Sequence, residues 1–154
     1  MDDSFNPALQ SRRTGLSWDQ EAKDKIKDIT HSFSEAGVAL SNRQLFLLCL
    51  GIGWKFKLNP GVPPRRTDSA RLETLKDKDY ALFNAIAMED SGSFEVLQER
   101  DRVLDIVESY AAGGLRKLAE MQDSSHDLVS ELVSEMWPAI SNWEDLEITA
   151  EEEN

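Results

Sequence analysis

The chain has 154 residues, of which 40% are hydrophobic and 30% charged, with a single cysteine and a formal net charge of −12. This length suits one domain that buries a core without disulfide bonds, and a single cysteine excludes an internal disulfide. The 37 residues after Lys117 contain eleven Asp or Glu and no Lys or Arg, whereas the preceding residues hold 18 acids and 17 bases. A body so near neutrality is untypical of proteins that bind nucleic acid by overall charge.

The N-terminal residues 1–16 are mostly polar and predict a flexible segment. They contain no apolar signal core, so a cytoplasmic protein is expected. A helix is predicted to start at Ser17, because Gln20 occupies the capping-box position. Its apolar residues recur at three- and four-residue spacing, which predicts one inward face, and Gly37 is expected to end it.

The stretch from about 41 to 57 is the most apolar part of the chain. Ser41 and Gln44 form a capping-box pattern at its start, and apolar residues then occur all round the predicted helix. A helix that is apolar on every side is typically buried. Because spanning a bilayer takes about 20 apolar residues, this stretch predicts a buried central helix of a soluble domain.

After the central helix, residues 58–71 contain three prolines and a glycine and predict an irregular loop. The planar donors of arginine suit phosphate groups, so this loop gives a nucleic-acid-binding hypothesis. The arginines concerned are Arg65, Arg66 and Arg71. The alternative is a solvated loop with local ion pairs to Asp68 and Glu73.

Helices are predicted from Thr67 or Asp68, from Asp79 to a turn at 89–93, and from Ser93 onward. In the last of these, Gly113–Gly114 marks either a break or a point where another helix packs closely. Because the chain shows no two-residue alternation typical of strands, we predict an all-α fold, a compact multi-helix domain around the central helix.

The C-terminal segment combines apolar side chains with acids only. Beyond a hinge at 122–127, its helical spacing predicts an acidic amphipathic helix. Three interpretations are open: it docks on its own domain, it fills a groove of a partner, or it competes with DNA for a basic surface. The residues predicted to bind a partner are Leu128, Leu132, Met136, Trp137 and Trp143.

Catalytic groups are scarce. Cys49 lies inside the apolar helix, where a thiol is typically a core side chain, and His31 and His126 lie in polar surroundings. The sequence has no metal-ligand cluster, phosphate loop or dinucleotide-binding glycine pattern. We therefore predict no catalytic residue, no metal and no cofactor.

From about Lys27 to Met121 the sequence resembles a bacterial family, the DNA phosphorothioation (Dnd) system-associated small proteins. Four stretches carry the resemblance in order: SNRQLFLLCLGIGWKFK, PPRRTDSARLETL, ALFNAIAMEDSGSFEVLQ and VLDIVESYAAGGLRKL. The last is the most specific, because six of its residues match together. These are Glu108, Tyr110, Ala111, Gly113, Gly114 and Leu115.

The resemblance implies a place in systems that mark DNA with sulfur or restrict unmarked DNA, and it carries over no catalytic residue. We predict a non-enzymatic accessory subunit of a prokaryotic DNA-defence complex that binds a larger nuclease or ATPase and reaches DNA through it. Its predicted parts are a flexible N-terminus (1–16), a helical domain (17–121) and an acidic segment (122–154). The alternative is a DNA-binding or DNA-mimicking regulatory protein.

Overall fold

A computed structural model describes residues 13–63, 65–124 and 126–136. These residues form β1 (Gly15–Asp19), α1 (Lys23–Glu35), α2 (Asn42–Lys55), β2 (Arg66–Arg71), α3 (Asp77–Ser91) and α4 (Arg100–Ser124). Residues 128–136 form a further helical segment, α5. Three 3-10 turns lie at Gln20–Ala22, Leu72–Thr74 and Phe94–Gln98. The fold is mostly helical, as predicted, but it is not purely all-α because β1 and β2 form a small sheet.

The predicted central helix is confirmed as α2. The hydroxyl of Ser41 accepts the backbone N–H of Gln44, and the Gln44 side chain accepts the N–H of Ser41, so the capping box is complete. Phe46, Cys49 and Leu50 are fully buried. Other positions are not: Gly51 is exposed, and the prediction of burial on every side is therefore wrong for part of the helix.

Two helices, α2 and α4, pack with their backbones in close contact. A Cβ atom at Gly53 would overlap the carbonyl oxygen of Tyr110, and one at Gly114 would overlap that of Cys49. Gly113 lies similarly close to Leu58, in the chain that leaves α2. Because α4 continues unbroken to Ser124, the two adjacent glycines serve as a packing point and not as a break.

The helix predicted from Ser17 is wrong at its start, because residues 15–19 form a strand. β1 pairs antiparallel with β2, with Asp19 opposite Arg66 and Gly15 opposite Arg71. Leu16 and Trp18 are buried on alternate positions of β1, as a two-residue period requires. A helix starts only after the 3-10 turn, at Lys23.

The loop and helix predicted across residues 58–75 are also partly wrong, because Arg66–Arg71 form β2 and a 3-10 turn follows. This strand carries almost no apolar pattern, and it exists because β1 supplies hydrogen-bond partners along one edge. Its buried residues are Ser69 and Ala70. They lie opposite Leu16 along the strand pair, at the point where the pairing is irregular. The strand conformation of β2 thus depends on its pairing with β1, which the local sequence does not predict.

Glycines follow the ends of two helices, as the sequence predicts for Gly37. Gly37 follows α1 with a φ of 85°, and Gly92 follows α3 with a φ of 71°. The N–H of Gly92 donates to the carbonyl of Met88, which closes the last turn of α3. Both helices contribute buried side chains to the common core.

The helical segment α5 packs against the same core as the other helices. Leu128 and Leu132 are buried, and Met136 packs against the core cluster, whereas Val133 is 53% exposed. The ammonium group of Lys55 donates to the carbonyl oxygen of Glu135 at 3.3 Å and joins α5 to the end of α2. No helix within the described ranges is both long and apolar enough to cross a membrane.

Candidate functional site

A buried carboxylate joins the two-stranded sheet to α4. Glu108 is 1% exposed, and one of its oxygens accepts the backbone N–H of Ser17 at 2.9 Å and the Nη2 of Arg13. Its other oxygen accepts from Nη1 of Arg66 at 3.3 Å. Asp105, one turn earlier, accepts from both arginines, at 2.7 and 3.2 Å. Two strands and one helix therefore meet at a cluster of two acids and two arginines.

The electrostatics of this cluster are set by burial. Burial raises the pKa of Glu108 above its ordinary value, while Arg13, the N–H of Ser17 and Arg66 act in the opposite direction. The nearby Asp105 adds to the upward direction. A carboxyl group with a raised pKa is found in active sites, but here its partners are all groups that fix the sheet on α4.

The neighbouring tyrosine is also used for packing. The hydroxyl of Tyr110 donates to a carboxylate oxygen of Asp90 at 2.5 Å, and its ring packs edge-on against Trp54 with centroids 5.1 Å apart. Burial, followed by this hydrogen bond, raises the pKa of Tyr110. Together with Glu108, Gly113 and Gly114, Tyr110 gives the most specific stretch of the resemblance an architectural explanation.

A cleft of about 1160 Å³ opens between β1, β2 and the start of α2. Four arginines and two acids line it, in a protein whose net charge is negative. The charged lining residues are Arg13, Arg43, Arg71, Arg100, Asp68 and Glu73. Ser41 and Asn42, which begin α2, complete one wall.

Two of these arginines are held in place by buried carboxylates. Arg43 donates from Nε and Nη2 to the two oxygens of Asp79 at 2.7 and 2.8 Å, and Asp79 is 3% exposed. Arg43 is the main cause that lowers the pKa of Asp79, and the N–H of Lys76 adds to it. Arg13 donates from Nη2 to Glu108, which is buried, and from Nη1 to Asp105.

Arg71 and Arg100 are the other two arginines of the cleft lining. Arg71 contacts Glu73 at 3.4 Å, and both side chains are more than 70% exposed. Arg100 donates to the hydroxyl of Tyr80 at 3.2 Å and lies 5.5 Å from the centre of its ring. Ser69 also lines the cleft; it is 6% exposed, and its hydroxyl has no hydrogen-bond partner among the described residues.

The structure does not bring the three predicted arginines together. Arg66 and Arg71 lie at opposite ends of β2, where Arg66 pairs with Asp105 and Glu108 and Arg71 lines the cleft. Arg65 is exposed beyond the strand and is not part of the cleft lining. The pairing to Glu73 expected in the alternative interpretation is present at Arg71.

The residues predicted to bind a partner divide into two groups. Leu128 and Leu132 are buried against the domain to which they belong, and Met136 packs beside them. Trp137 and Trp143 lie outside the described residues. Of the three interpretations of the C-terminal segment, docking on its own domain holds for residues 128–136.

Cys49, the possible nucleophile in the sequence, is buried in the core. Cys49 is 0% exposed, and burial raises the pKa of its thiol far above the ordinary value. His31 is exposed and pairs with Glu35 at 3.2 Å, one helical turn away, and His126 is exposed. The three groups are thus placed in the core and on the surface of the domain.

Comparison with known proteins gives one family. Residues 18–150 match the model of the family described as DNA sulphur modification system-associated protein 4. The chain belongs to this family. Comparison with curated proteins and with solved structures finds no match. For this family member, the match includes nearly the whole described structure and part of the acidic C-terminal segment.

Sequence reasoning missed three of the four cleft arginines of this Dnd-associated protein. Arg13, Arg43 and Arg100 come from the residues leading into β1, the first turn of α2 and the first turn of α4, which are distant in sequence. No spacing rule links such positions. Arg43 had one weak signal, because it lies within a capping box and therefore at a helix start.

Proposed function

We propose that this protein is a non-catalytic accessory subunit of a DNA sulphur modification-linked defence complex, and that it binds a larger protein of that complex. The observation that carries the proposal is membership of a family associated with a DNA sulphur modification system. A nuclease or ATPase subunit is the class of partner we expect, with DNA reached through the complex.

The use of the polar groups in α4 supports a binding role over a catalytic one. Glu108 is surrounded by Arg13, Arg66 and the backbone of β1, and Tyr110 by Asp90 and Trp54. These partners hold strands and helices together. The polar groups in the stretch that most specifically resembles the family are therefore used for packing.

The contact with the partner is proposed to lie in the residues after Met136. Leu128 and Leu132 are committed to the core, which leaves the apolar residues after Met136 for a partner. The candidates are Trp137 and Trp143, which stand in sequence among acids. Tryptophan side chains frequently dominate the binding energy of protein interfaces.

The test is a tagged pull-down from the native host with nuclease treatment, followed by identification of the captured proteins. Full-length protein is compared with a version that ends at Met136. Ending the chain at Met121 would remove the core residues Leu128 and Leu132, so loss of binding there would not separate unfolding from loss of contact. Truncation after Met136 avoids this.

The expected result is stoichiometric capture of another protein of the same DNA sulphur modification system, lost in the version ending at Met136. A full-length Trp137→Ala, Trp143→Ala double variant should show the same loss with an unchanged melting temperature. Recovery of DNA without a protein partner, in a parallel pull-down that omits the nuclease, would contradict the proposal and favour the alternative, a DNA-binding or DNA-mimicking regulatory protein.

A further inference from the structure

The end of α2 carries two aromatic rings surrounded by lysines. Phe56 is 39% exposed and Trp54 is half-buried, and the ammonium groups of Lys55, Lys57 and Lys117 lie over these rings. These five residues form what we call the lysine–aromatic patch. We propose that the patch binds the acidic C-terminal segment of the same chain, residues 137–154. The contact lies within one molecule, so the inference needs no partner protein.

The packing of α2 on α4 assembles this patch. Lys117 comes from α4, whereas the other four residues come from the last turn of α2 and the two positions after it. The Nζ atoms of Lys55 and Lys117 lie 5.5 and 5.6 Å from the centre of the Phe56 ring. The Nζ atom of Lys57, a residue with a φ of 54°, lies 3.4 Å from the centre of the Trp54 ring. Cation–π attraction acts over these distances, so the rings hold three charges close together at the surface.

The charge of the patch is not balanced by contacts. None of its three lysines forms an ion pair with a described acid. Lys55 donates to the carbonyl oxygen of Glu135, which is a neutral acceptor. If the carboxylates of Glu135 and of Glu120, which follows Lys117 by three residues, are counted against the three lysines, one positive charge remains. The patch therefore attracts an anionic group, although the whole chain is acidic.

The C-terminal segment has the complementary composition. Residues 137–154 contain six Asp or Glu, no Lys or Arg, and two tryptophans. Glu144, Asp145 and Glu147 follow Trp143 closely. Aromatic rings pair with one another edge-on or offset, and carboxylates form charge-assisted hydrogen bonds with ammonium groups. A tryptophan beside acids thus matches an exposed phenylalanine beside lysines in both respects.

The end of the described chain lies beside the patch. Lys55 donates to the carbonyl oxygen of Glu135 at 3.3 Å, and Met136 packs against the core, so the segment begins within two residues of this contact. The seven residues from 137 to Trp143 span up to about 25 Å when extended. A tether of this length gives an effective concentration of about millimolar. A contact too weak to hold a separate peptide can therefore hold this segment.

The tether also decides between the possible occupants. A nucleic acid strand or an acidic segment of another protein meets the patch only from solution, and it must displace a segment of like charge whose effective concentration is about millimolar. The net charge of −12 further disfavours a nucleic acid strand, because the rest of the chain repels phosphates. The segment of the same chain is therefore the occupant that the observations favour.

Docking on the patch would compete with the partner protein, because both contacts use Trp137 and Trp143. A partner binds only the fraction of molecules in which the segment is free, and its apparent affinity falls by that fraction. The patch would thus regulate access to the segment. This consequence alone rests on the proposed function.

The test measures NMR relaxation of the backbone amides of residues 143–147 in the full chain, without any partner. In the wild type we expect order parameters above about 0.6, the value below which a backbone is flexible. A Lys55→Gln, Lys57→Gln, Lys117→Gln triple variant should lower them below about 0.6, because the segment loses its oppositely charged contacts. Unchanged amide resonances of the core would verify that this variant is folded.

The matched control is Lys23→Gln, Lys27→Gln, Lys78→Gln. It removes the same charge from three exposed lysines of α1 and α3. The order parameters of residues 143–147 should stay as in the wild type. This comparison separates the patch from a general effect of net charge.

A second variant tests the contact from the other side. Glu144→Gln, Asp145→Asn, Glu147→Gln removes three charges from the segment and leaves the described residues unchanged. It should shift the amide resonances of Phe56 and Lys57 relative to the wild type. About 0.5 M NaCl, which screens exposed charges strongly, should shift them in the same direction.

Four results would overturn the inference. The first two are order parameters of a flexible chain in the wild type and an equal loss of order in the control variant. The third is order that falls on dilution, which would assign the contact to a second copy of the chain. The fourth is an oligothymidine strand that shifts the amide resonances of the patch while residues 143–147 stay flexible, which would make nucleic acid the occupant.

Discussion

Two neighbours hold α4 by different physical means. Against α2, the contact is made by glycines and carbonyl groups at Gly53, Gly114 and Cys49, so shape alone decides it. Against the sheet, the contact is made by Glu108 with Arg13 and Arg66, so charge and hydrogen bonding decide it. The first contact therefore tolerates no added atom, whereas the second tolerates changes of shape but responds to changes of charge and pH.

The largest effect is expected from an added methyl group at the glycine contact. Gly114→Ala places a Cβ atom in the carbonyl oxygen of Cys49, which neither helix backbone can avoid without separation. We expect a loss of more than about 3 kcal/mol in the free energy of unfolding, beyond the usual range for overpacking. Urea denaturation followed by circular dichroism measures it.

The control is the same substitution two residues before Gly53. Gly51 lies in α2, and no atom of a neighbouring element lies within 4 Å of the position that an added methyl group would take. Gly51→Ala should therefore stabilise the protein by about 0.5–1 kcal/mol through helix propensity. Equal stability of the Gly114→Ala and Gly51→Ala variants would show that α2 and α4 do not approach so closely.

A smaller effect is expected where charge holds the sheet. Glu108→Gln keeps the size of the side chain but leaves Arg13 and Arg66 with Asp105 as their remaining acid in this cluster. Breaking a buried ion pair typically costs about 3–5 kcal/mol, but both arginines are partly exposed and burial disfavours the charged form of Glu108, so at neutral pH we expect a loss of only about 1–2 kcal/mol.

Hydrogen exchange locates that loss. In Glu108→Gln, the amides of β1 and β2 should exchange faster while those of the α2–α4 contact keep their order of protection. Uniform acceleration across both contacts would mean that the sheet and the helices unfold as one unit and that the two contacts are not separable.

These two contacts also differ in how far sequence predicts them. The capping box at Ser41 and the apolar run of α2 are local patterns, so the central helix and the packing role of Gly113–Gly114 were within reach of sequence reasoning. Leu16 and Trp18 alternate over too few residues to predict a strand, and the capping-box pattern at Ser17 and Gln20 led to a wrong helix start.

The rest was not predictable from local sequence. β2 is a polar strand that forms because β1 pairs with it and because Arg66 reaches α4. The cleft joins Arg13, Arg43, Arg71 and Arg100, which only the three-dimensional fold brings together. Burial of Leu128 and Leu132 likewise depends on packing against a core made by other elements, so the amphipathic pattern alone left their partner open.

The pH dependence of stability should separate two buried acids. The folded-state pKa of Asp79 is lowered, chiefly by Arg43. Asp79 therefore stabilises the folded protein at pH values above the ordinary pKa of aspartate, and this stabilisation is lost as the pH falls through the folded pKa. The pKa of Glu108 is raised by burial. Its contribution to stability is therefore complete at pH values below the ordinary pKa of glutamate, and it is lost as the pH rises through the folded pKa.

It follows that Asp79→Asn should cost less stability at acid pH than at neutral pH, whereas Glu108→Gln should cost more at acid pH. Denaturation curves of both variants and of the wild type, recorded at several pH values from acid to neutral, measure the change in the free energy of unfolding that each substitution causes. Parallel pH profiles for the two variants would mean that Arg13 and Arg66 outweigh burial at Glu108.

The smallest effect is expected at Ser69, a buried polar group of the sheet whose hydroxyl has no partner among the described residues. Ser69→Ala removes a hydroxyl that is buried without a hydrogen bond, so the free protein should gain about 1 kcal/mol in the free energy of unfolding. Thr67→Ala, at a half-buried position of the same strand, is the matched control and should bring no such gain. A loss of stability in Ser69→Ala as large as that in Glu108→Gln would mean that the Ser69 hydroxyl forms a hydrogen bond within the folded protein. The contact between the sheet and α4 would then depend on the buried hydroxyl of Ser69 as well as on Glu108.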